Sequence, residues 1–246
     1  MKIIIPAAGF GTRLHPLTVS TPKALLSFGE KRLLEYTLGQ IEQIEGINEV
    51  LIVSNRLFYP QFSQWSRRFS YRFPVRIIDN GVVSEEQRRG SVGDLAFALS
   101  RCKDDDSFLV IMSDLFFTFS LNDIVRSFRA RPRNLIGLYD VNTLEEAAKM
   151  GVVCLDVQNR VTSFFEKPDK AEGTIVSNGI FLFPSSLREI VEQYISLGTT
   201  QDRMGDFIAW LVMNEDVYGH QFSEGYWCDV GSIESYNYLQ SILRTT

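Results

Sequence analysis

The chain has 246 residues, of which 45% are hydrophobic and 22% charged, with a formal net charge of −5. That balance suits a globular protein long enough for one large α/β domain, and it argues against a protein that lives by gripping nucleic-acid backbones, which needs a basic excess. No stretch reaches the roughly 18 apolar residues of a membrane span, no signal-peptide layout is visible, and Cys102, Cys154 and Cys228 lie far apart without metal-ligand spacing, so reduced thiols in a cytoplasmic protein are expected.

Ile3 to Ile5 form a β-branched apolar run, the pattern of a buried strand. Leu33, Leu34, Leu38, Ile41 and Ile44 recur at helical spacing. Glu49 to Ser54 and Pro74 to Ile78 read as strands, and a helix begins at Ser91 with Val92, Leu95, Ala96 and Leu99 on one face. A strand over Ser107 to Met112, a helix over Leu121 to Ala130 and a strand over Leu135 to Tyr139 continue the alternation. The second half differs. Gly151 to Asp156 and Val161 to Glu166 are strands split by Gln158-Asn159-Arg160, a hairpin signal. A strand near Ile175 to Phe183, helices around Ser186 to Ile195 and Gly205 to Met213, and a closing helix over Ser232 to Leu243 complete the pattern. Such alternation predicts an α/β fold with a mixed, mainly parallel sheet flanked by helices. No Pro/Gly/Ser-rich linker interrupts it, so residues 1–246 are expected to form a single domain, with an N-terminal lobe over about 1–140 and a C-terminal lobe over about 141–246.

The first strand runs into Pro6-Ala7-Ala8-Gly9-Phe10-Gly11-Thr12-Arg13. Glycines allow close backbone approach and positive φ, so successive N–H groups can form a concave anion nest. Arg13 adds a planar fork for phosphate oxygens, and Lys23 a mobile point charge. The third glycine of a dinucleotide fingerprint is replaced by Leu14, and P-loop spacing is absent. Asp114 follows the strand ending at Met112, where ligands of open α/β sheets bind. A carboxylate there suits the Mg²⁺ of a triphosphate, or simply caps a turn. Asp229 reads as a strand-end aspartate before Gly231. Glu166-Lys167-Pro168 closes a strand with a proline that halts the ladder. Its glutamate can bind hydroxyls and its lysine a phosphate, although such pairs are also common on solvated surfaces. Gln87 can donate and accept at a base edge, while Arg88 and Arg89 read equally as a solvated turn.

The run from Gly9 through Arg13-Leu14 to Pro16-Leu17-Thr18, followed by Thr21-Pro22-Lys23-Ala24-Leu25, closely resembles the signature of the sugar-1-phosphate nucleotidylyltransferases. The resemblance extends to Gly231. It implies a Rossmann-like, GT-A-like nucleotidyltransferase fold and a Mg²⁺-dependent reaction of an NTP with a sugar 1-phosphate to give an NDP-sugar and pyrophosphate. It implies catalytic roles for Arg13 and Lys23 and nucleotide contacts from Ala8, Gly9, Gly11, Thr12, Gln87 and Gly90. Asp114 and Asp229 would hold the metal, and Gly151, Glu166, Lys167 and Asn178 would bind the sugar phosphate. The partners implied are these small molecules, with no nucleic acid or membrane and with self-association left open. The chain departs from the family pattern at Met150 (Tyr in the family), at Ser113 (often Gly) and in the Gln87–Leu95 loop. Transfer to a non-sugar phosphate such as phosphocholine, and a silent nucleotide-sugar-binding regulator, are the competing functions. Glu166-Lys167-Pro168 and Asn178 favour a sugar, and the intact Arg13, Lys23, Asp114 and Asp229 favour an enzyme.

Overall fold

The computed structural model describes residues 1–102 and 106–245. Its elements begin with β1 (Lys2–Pro6), β2 (Ser27–Phe28), β3 (Lys31–Arg32), α1 (Leu33–Ile41), β4 (Glu49–Ser54), α2 (Tyr59–Ser66), β5 (Val75–Asp79), α3 (Gly90–Leu99), β6 (Phe108–Ile111) and β7 (Leu115–Phe117). They continue with α4 (Asn122–Ala130), β8 (Asn134–Asp140), α5 (Leu144–Ala147), β9 (Gly151–Leu155), β10 (Val161–Glu166), β11 (Ile175–Phe183), α6 (Leu187–Ser196), α7 (Met204–Asn214), β12 (Val217–Gln221), β13 (Trp227–Asp229) and α8 (Ile233–Thr245). Two compact units result, and neither is continuous in sequence. The first is Met1–Arg89 with Ile111–Leu121 and Gly225–Thr246; the second is Gly90–Val110 with Asn122–Glu224. The sequence suggested contiguous lobes meeting near residue 140. Burial explains the regrouping: Leu14, Leu26, Phe28 and Leu33 share one apolar cluster with Phe116, Val230 and Leu239. Removing that surface from water draws β7, β13 and α8 to the N-terminal elements.

In the first unit β4 lies between β1 and β5, and both pairings are parallel, with Ile4 opposite Leu51 and Ile52 opposite Ile77. Ile3 to Ile5 and Val50 to Val53 are fully buried, as continuous apolar runs in parallel sheets are. Helix α1 buries Leu33, Leu34, Leu38 and Ile41, and its start is capped by the Glu35 carboxylate, which accepts from the Arg32 N–H at 3.0 Å. Helix α2 has no clear apolar period in sequence. It starts at a proline-containing first turn and packs on β5, burying Phe62 and Trp65.

The second unit is built mainly on antiparallel pairs. Strand β11 pairs with β8 and β9, and β9 with β10, while β12 lies parallel to β8. Arg160 bridges to Tyr218, and the Gly219 N–H donates to the Asn159 carbonyl at 2.8 Å, so the β9–β10 turn meets β12. Helix α7 packs on β10. Among the described residues no helix is long and apolar enough to cross a membrane. Among the described residues Cys102, Cys154 and Cys228 form no disulfide.

Candidate active site

In the first unit the glycine loop leaves β1 at its carboxyl end. The Ala7 N–H donates to Val53, and the Ala8 carbonyl accepts from the Asn55 side-chain amide at 2.9 Å. The Oδ1 of the same amide accepts from the Phe58 N–H at 2.9 Å. Asn55 is fully buried and fixes the loop from β4. It was not singled out in the sequence, where the only signal is a polar residue directly after a buried strand. Gly11 has φ +66°, the left-handed region that favours glycine, and its carbonyl accepts from the buried Thr18 hydroxyl at 2.7 Å. Phe10 is buried beside Phe58, whereas Gly9, Thr12 and Arg13 are exposed. Among the described residues no acceptor meets the N–H groups from Gly9 to Arg13. A run of such donors is what an anion nest requires.

Lys23, just after Pro22 in a short 3-10 turn, donates to Asp114 Oδ2 at 2.6 Å. The two side chains are only 17% and 20% exposed, so this pair is better shielded than a surface ion pair. Burial opposes ionisation of Asp114. The charge and hydrogen bond of Lys23, a backbone N–H and the Arg13 charge together outweigh it and hold the carboxyl below the usual carboxylate range. Strands β7 and β13 pair antiparallel, with Asp229 opposite Leu115, and the Val230 N–H donates to the Asp114 carbonyl at 2.8 Å. Two aspartates far apart in sequence therefore stand at adjoining ends of one ribbon. The ribbon was missed in sequence because its two runs are short and pair non-locally. Gly225, at φ +83°, lets the chain enter β13 against the Phe119 backbone.

Two carboxylates are a hard oxygen donor set suited to Mg²⁺. Among the described residues no group of three or more His, Cys, Asp and Glu could hold a metal.

The remaining nucleotide candidates are on the turn that precedes α3 and at the start of α3. Gln87 is exposed at the end of a 3-10 turn. Arg88 pairs with Glu85 at 2.6 Å, and Arg89 donates to the Asn80 carbonyl at 3.0 Å. Gly90, in the second unit, has φ +75° and opens α3.

In the second unit Glu166 ends β10 opposite Gly151 of β9. A Cβ on Gly151 would meet the Phe164 ring at 2.3 Å, so glycine here makes room for that ring. The Lys167 N–H donates to the Met150 carbonyl at 2.9 Å, and Lys167 holds φ +48°, an uncommon value for a non-glycine residue that turns the chain sharply. Its ammonium is 4.0 Å from Glu166 Oε1 and its side chain is 47% exposed. Asn178 has no accessible surface. Its Oδ1 accepts from the Ile180 N–H at 3.2 Å and lies over Gly137, within the register shift of β11.

Burial raises the Glu166 carboxyl above the usual range; Lys167 opposes this, Asp206 adds to it, and Arg203 opposes it. The folded state thus binds this proton more tightly than the unfolded chain. Its contribution to stability is present below the ordinary glutamate value and is lost as pH rises through the raised folded value. Glu166→Gln should therefore be more stable than the wild type at neutral pH and lose that advantage in acid. Urea unfolding at pH 7 and pH 4 measures this, and an advantage that grows in acid would contradict it.

The sequence profile of the family described as nucleotidyl transferase matches residues 2–245, and the chain belongs to that family. It is 30% identical over 234 residues to the mannose-1-phosphate guanylyltransferase catalytic subunit beta of Dictyostelium discoideum, a match covering 94% of this chain and 61% of that protein. Among solved structures it superposes on a UDP-glucose pyrophosphorylase complexed with UDP-glucose with a TM-score of 0.83 at 19% identity, covering 99% of this chain and 98% of the other. The CTP:phosphocholine cytidylyltransferase of Streptococcus pneumoniae gives 0.77 at 21% identity, with 98% of each chain covered. These structures share the α/β fold of mixed sheet and flanking helices. The chain spans about 61% of the length of the first curated relatives it matches.

Proposed function

We propose that this chain is a sugar-1-phosphate nucleotidylyltransferase, making an NDP-sugar and pyrophosphate from an NTP and a sugar 1-phosphate. The observation that carries the proposal is the row of N–H groups from Gly9 to Arg13, without an acceptor among the described residues, in the same unit as the shielded Lys23–Asp114 pair. The mannose 1-phosphate in the name of the Dictyostelium relative supports a sugar 1-phosphate acceptor and makes GTP with mannose 1-phosphate the first pair to assay. The phosphocholine enzyme shares the fold alone, so the choice of acceptor rests on Glu166-Lys167-Pro168.

The sugar phosphate is already an anionic nucleophile at neutral pH. Its oxygen forms a bond to the α-phosphorus as the bond between the α- and β-phosphates breaks, and pyrophosphate leaves in line. No proton abstraction is needed, so positioning and charge neutralisation carry the catalysis. In this reading the Gly9–Thr12 amides and Arg13 hold the departing pyrophosphate, with Ala8 shaping the loop. Lys23 exchanges its Asp114 partner for phosphate oxygens. Asp114 and Asp229 would hold Mg²⁺, which when bound neutralises phosphate charge. Gln87 and Gly90 belong to the base-reading loop. Lys167 binds the sugar phosphate and Glu166 the sugar hydroxyls, while Gly151 and Asn178 shape the strands beneath them. A cytoplasmic setting, where thiols stay reduced, is part of the proposal.

Lys167→Ala tests the assignment of the two substrates. Loss of a charge-assisted contact of roughly 1.5–3 kcal/mol should raise the KM for sugar 1-phosphate by about tenfold or more and leave NTP binding nearly unchanged. Steady-state kinetics with each substrate varied in turn gives the result. An equal loss for both substrates, or a loss for NTP alone, would place Lys167 in the wrong subsite.

A further inference from the structure

Glycine at position 205 is not required by backbone strain. Gly205 sits in the first turn of α7 and is absent from the positive-φ glycines. Space requires it. A Cβ on Gly205 would lie 2.0 Å from Glu166 Oε2 and 2.4 Å from Glu166 Cδ. The Glu166 carboxylate therefore rests directly on the backbone of the α7 amino-terminal turn, where a helix favours negative charge. On either side of Gly205 stand Arg203, whose charge favours the ionised carboxyl, and Asp206, whose charge opposes it. The segment leading into this turn is itself anchored. The Ser91 and Val92 N–H groups donate to the Asp202 and Gln201 carbonyls at 2.9 and 3.0 Å, and the Ser91 hydroxyl donates to Asp202 at 3.0 Å.

We propose that Gly205 is a positioning residue for the acceptor sugar: its missing side chain seats the Glu166 carboxylate on the first turn of α7, and that seat sets where Glu166 meets the sugar hydroxyls. The proposal rests on the nucleotidylyltransferase reading given above. Gly205 touches no substrate and acts through Glu166. The atom that an added methyl would strike is the far end of a flexible side chain, so Gly205→Ala can fold by swinging the carboxylate aside. What it loses is the carboxylate's position. The displaced carboxyl also becomes better hydrated, which brings its proton affinity back toward an ordinary glutamate.

Gly205→Ala, purified beside the wild type, should keep its thermal midpoint within a few degrees and raise the KM for sugar 1-phosphate by about tenfold, with kcat and the KM for NTP changed by less than about twofold. The acidic limb of the sugar kcat/KM profile should move to lower pH. Glu166→Asp should weaken sugar use in the wild-type background. It should partly restore sugar use in the Gly205→Ala background, because the shorter side chain makes room for the methyl. That reversal of sign in a double-mutant cycle reports direct coupling of the two positions. An active wild type whose Gly205→Ala variant has an unchanged sugar KM, or shows equal losses for both substrates, overturns the positioning role alone. A wild type that makes no nucleotide sugar from any pair of an NTP and a sugar 1-phosphate overturns the function beneath it, and the positioning role with it.

Discussion

Asp114→Asn and Asp229→Asn should each lower kcat/KM by about a hundredfold or more, the scale found when one preorganised charge-stabilising group is removed from an active site. The two residues come from segments more than a hundred positions apart, yet the β7–β13 ribbon and the Val230 N–H bond to the Asp114 carbonyl hold their backbones together. Either substitution leaves one hard anionic donor for a divalent ion, so the Mg²⁺ concentration needed for half-maximal rate should rise as well. Asp114 also carries the hydrogen bond from Lys23 at 2.6 Å. Asp114→Asn should therefore also cost some stability through the Lys23 pair. Pyrophosphate release over a Mg²⁺ titration, with thermal unfolding of each variant, checks both halves. Near wild-type turnover in either variant would remove that aspartate from the site.

Gly90→Ala should destabilise the protein by about 3 kcal/mol, combining left-handed backbone strain with overpacking. Gly90 has φ +75°, and an added Cβ would lie 2.3 Å from the Gln201 carbonyl oxygen and 2.4 Å from the Asp202 Cα. Both are backbone atoms, so no rotamer change can relieve the clash, in contrast to Gly205. Relief requires the 201–202 segment to withdraw, which costs the bonds from Ser91 and Val92 at the start of α3. For a chain of this size the midpoint should fall by roughly 6–12 °C. Calorimetry or urea unfolding gives the value. A midpoint within about 2 °C of the wild type would show that the segment moves freely, and it would also undercut the anchoring of the α7 turn.

The buried strands Ile3–Ile5, Glu49–Ser54 and Phe108–Ile111 and the amphipathic helices α1, α3 and α4 were legible from residue order, because a run of β-branched residues or a 3.6-residue apolar stripe is a local signal. The glycine loop was legible for the same reason: its donors and its cations lie within one short stretch. Strand β12 and the β7–β13 ribbon were not, since each is stabilised by partners distant in sequence, and helix α2 was not because no apolar period marks its eight residues. Asp114 and Asp229 each looked like an ordinary strand-end aspartate when read locally, and the family resemblance was needed to link them. In the structure, burial of Leu14, Leu33, Phe116, Val230 and Leu239 in one cluster brings their segments together. Gly205 shows the same divide most sharply. Nothing beside it in the chain calls for glycine, and the reason is the Glu166 carboxylate that arrives from β10. Residue order specifies period, charge and backbone permission. Which carboxylate meets which glycine is decided by non-local burial, and only the folded chain contains that information.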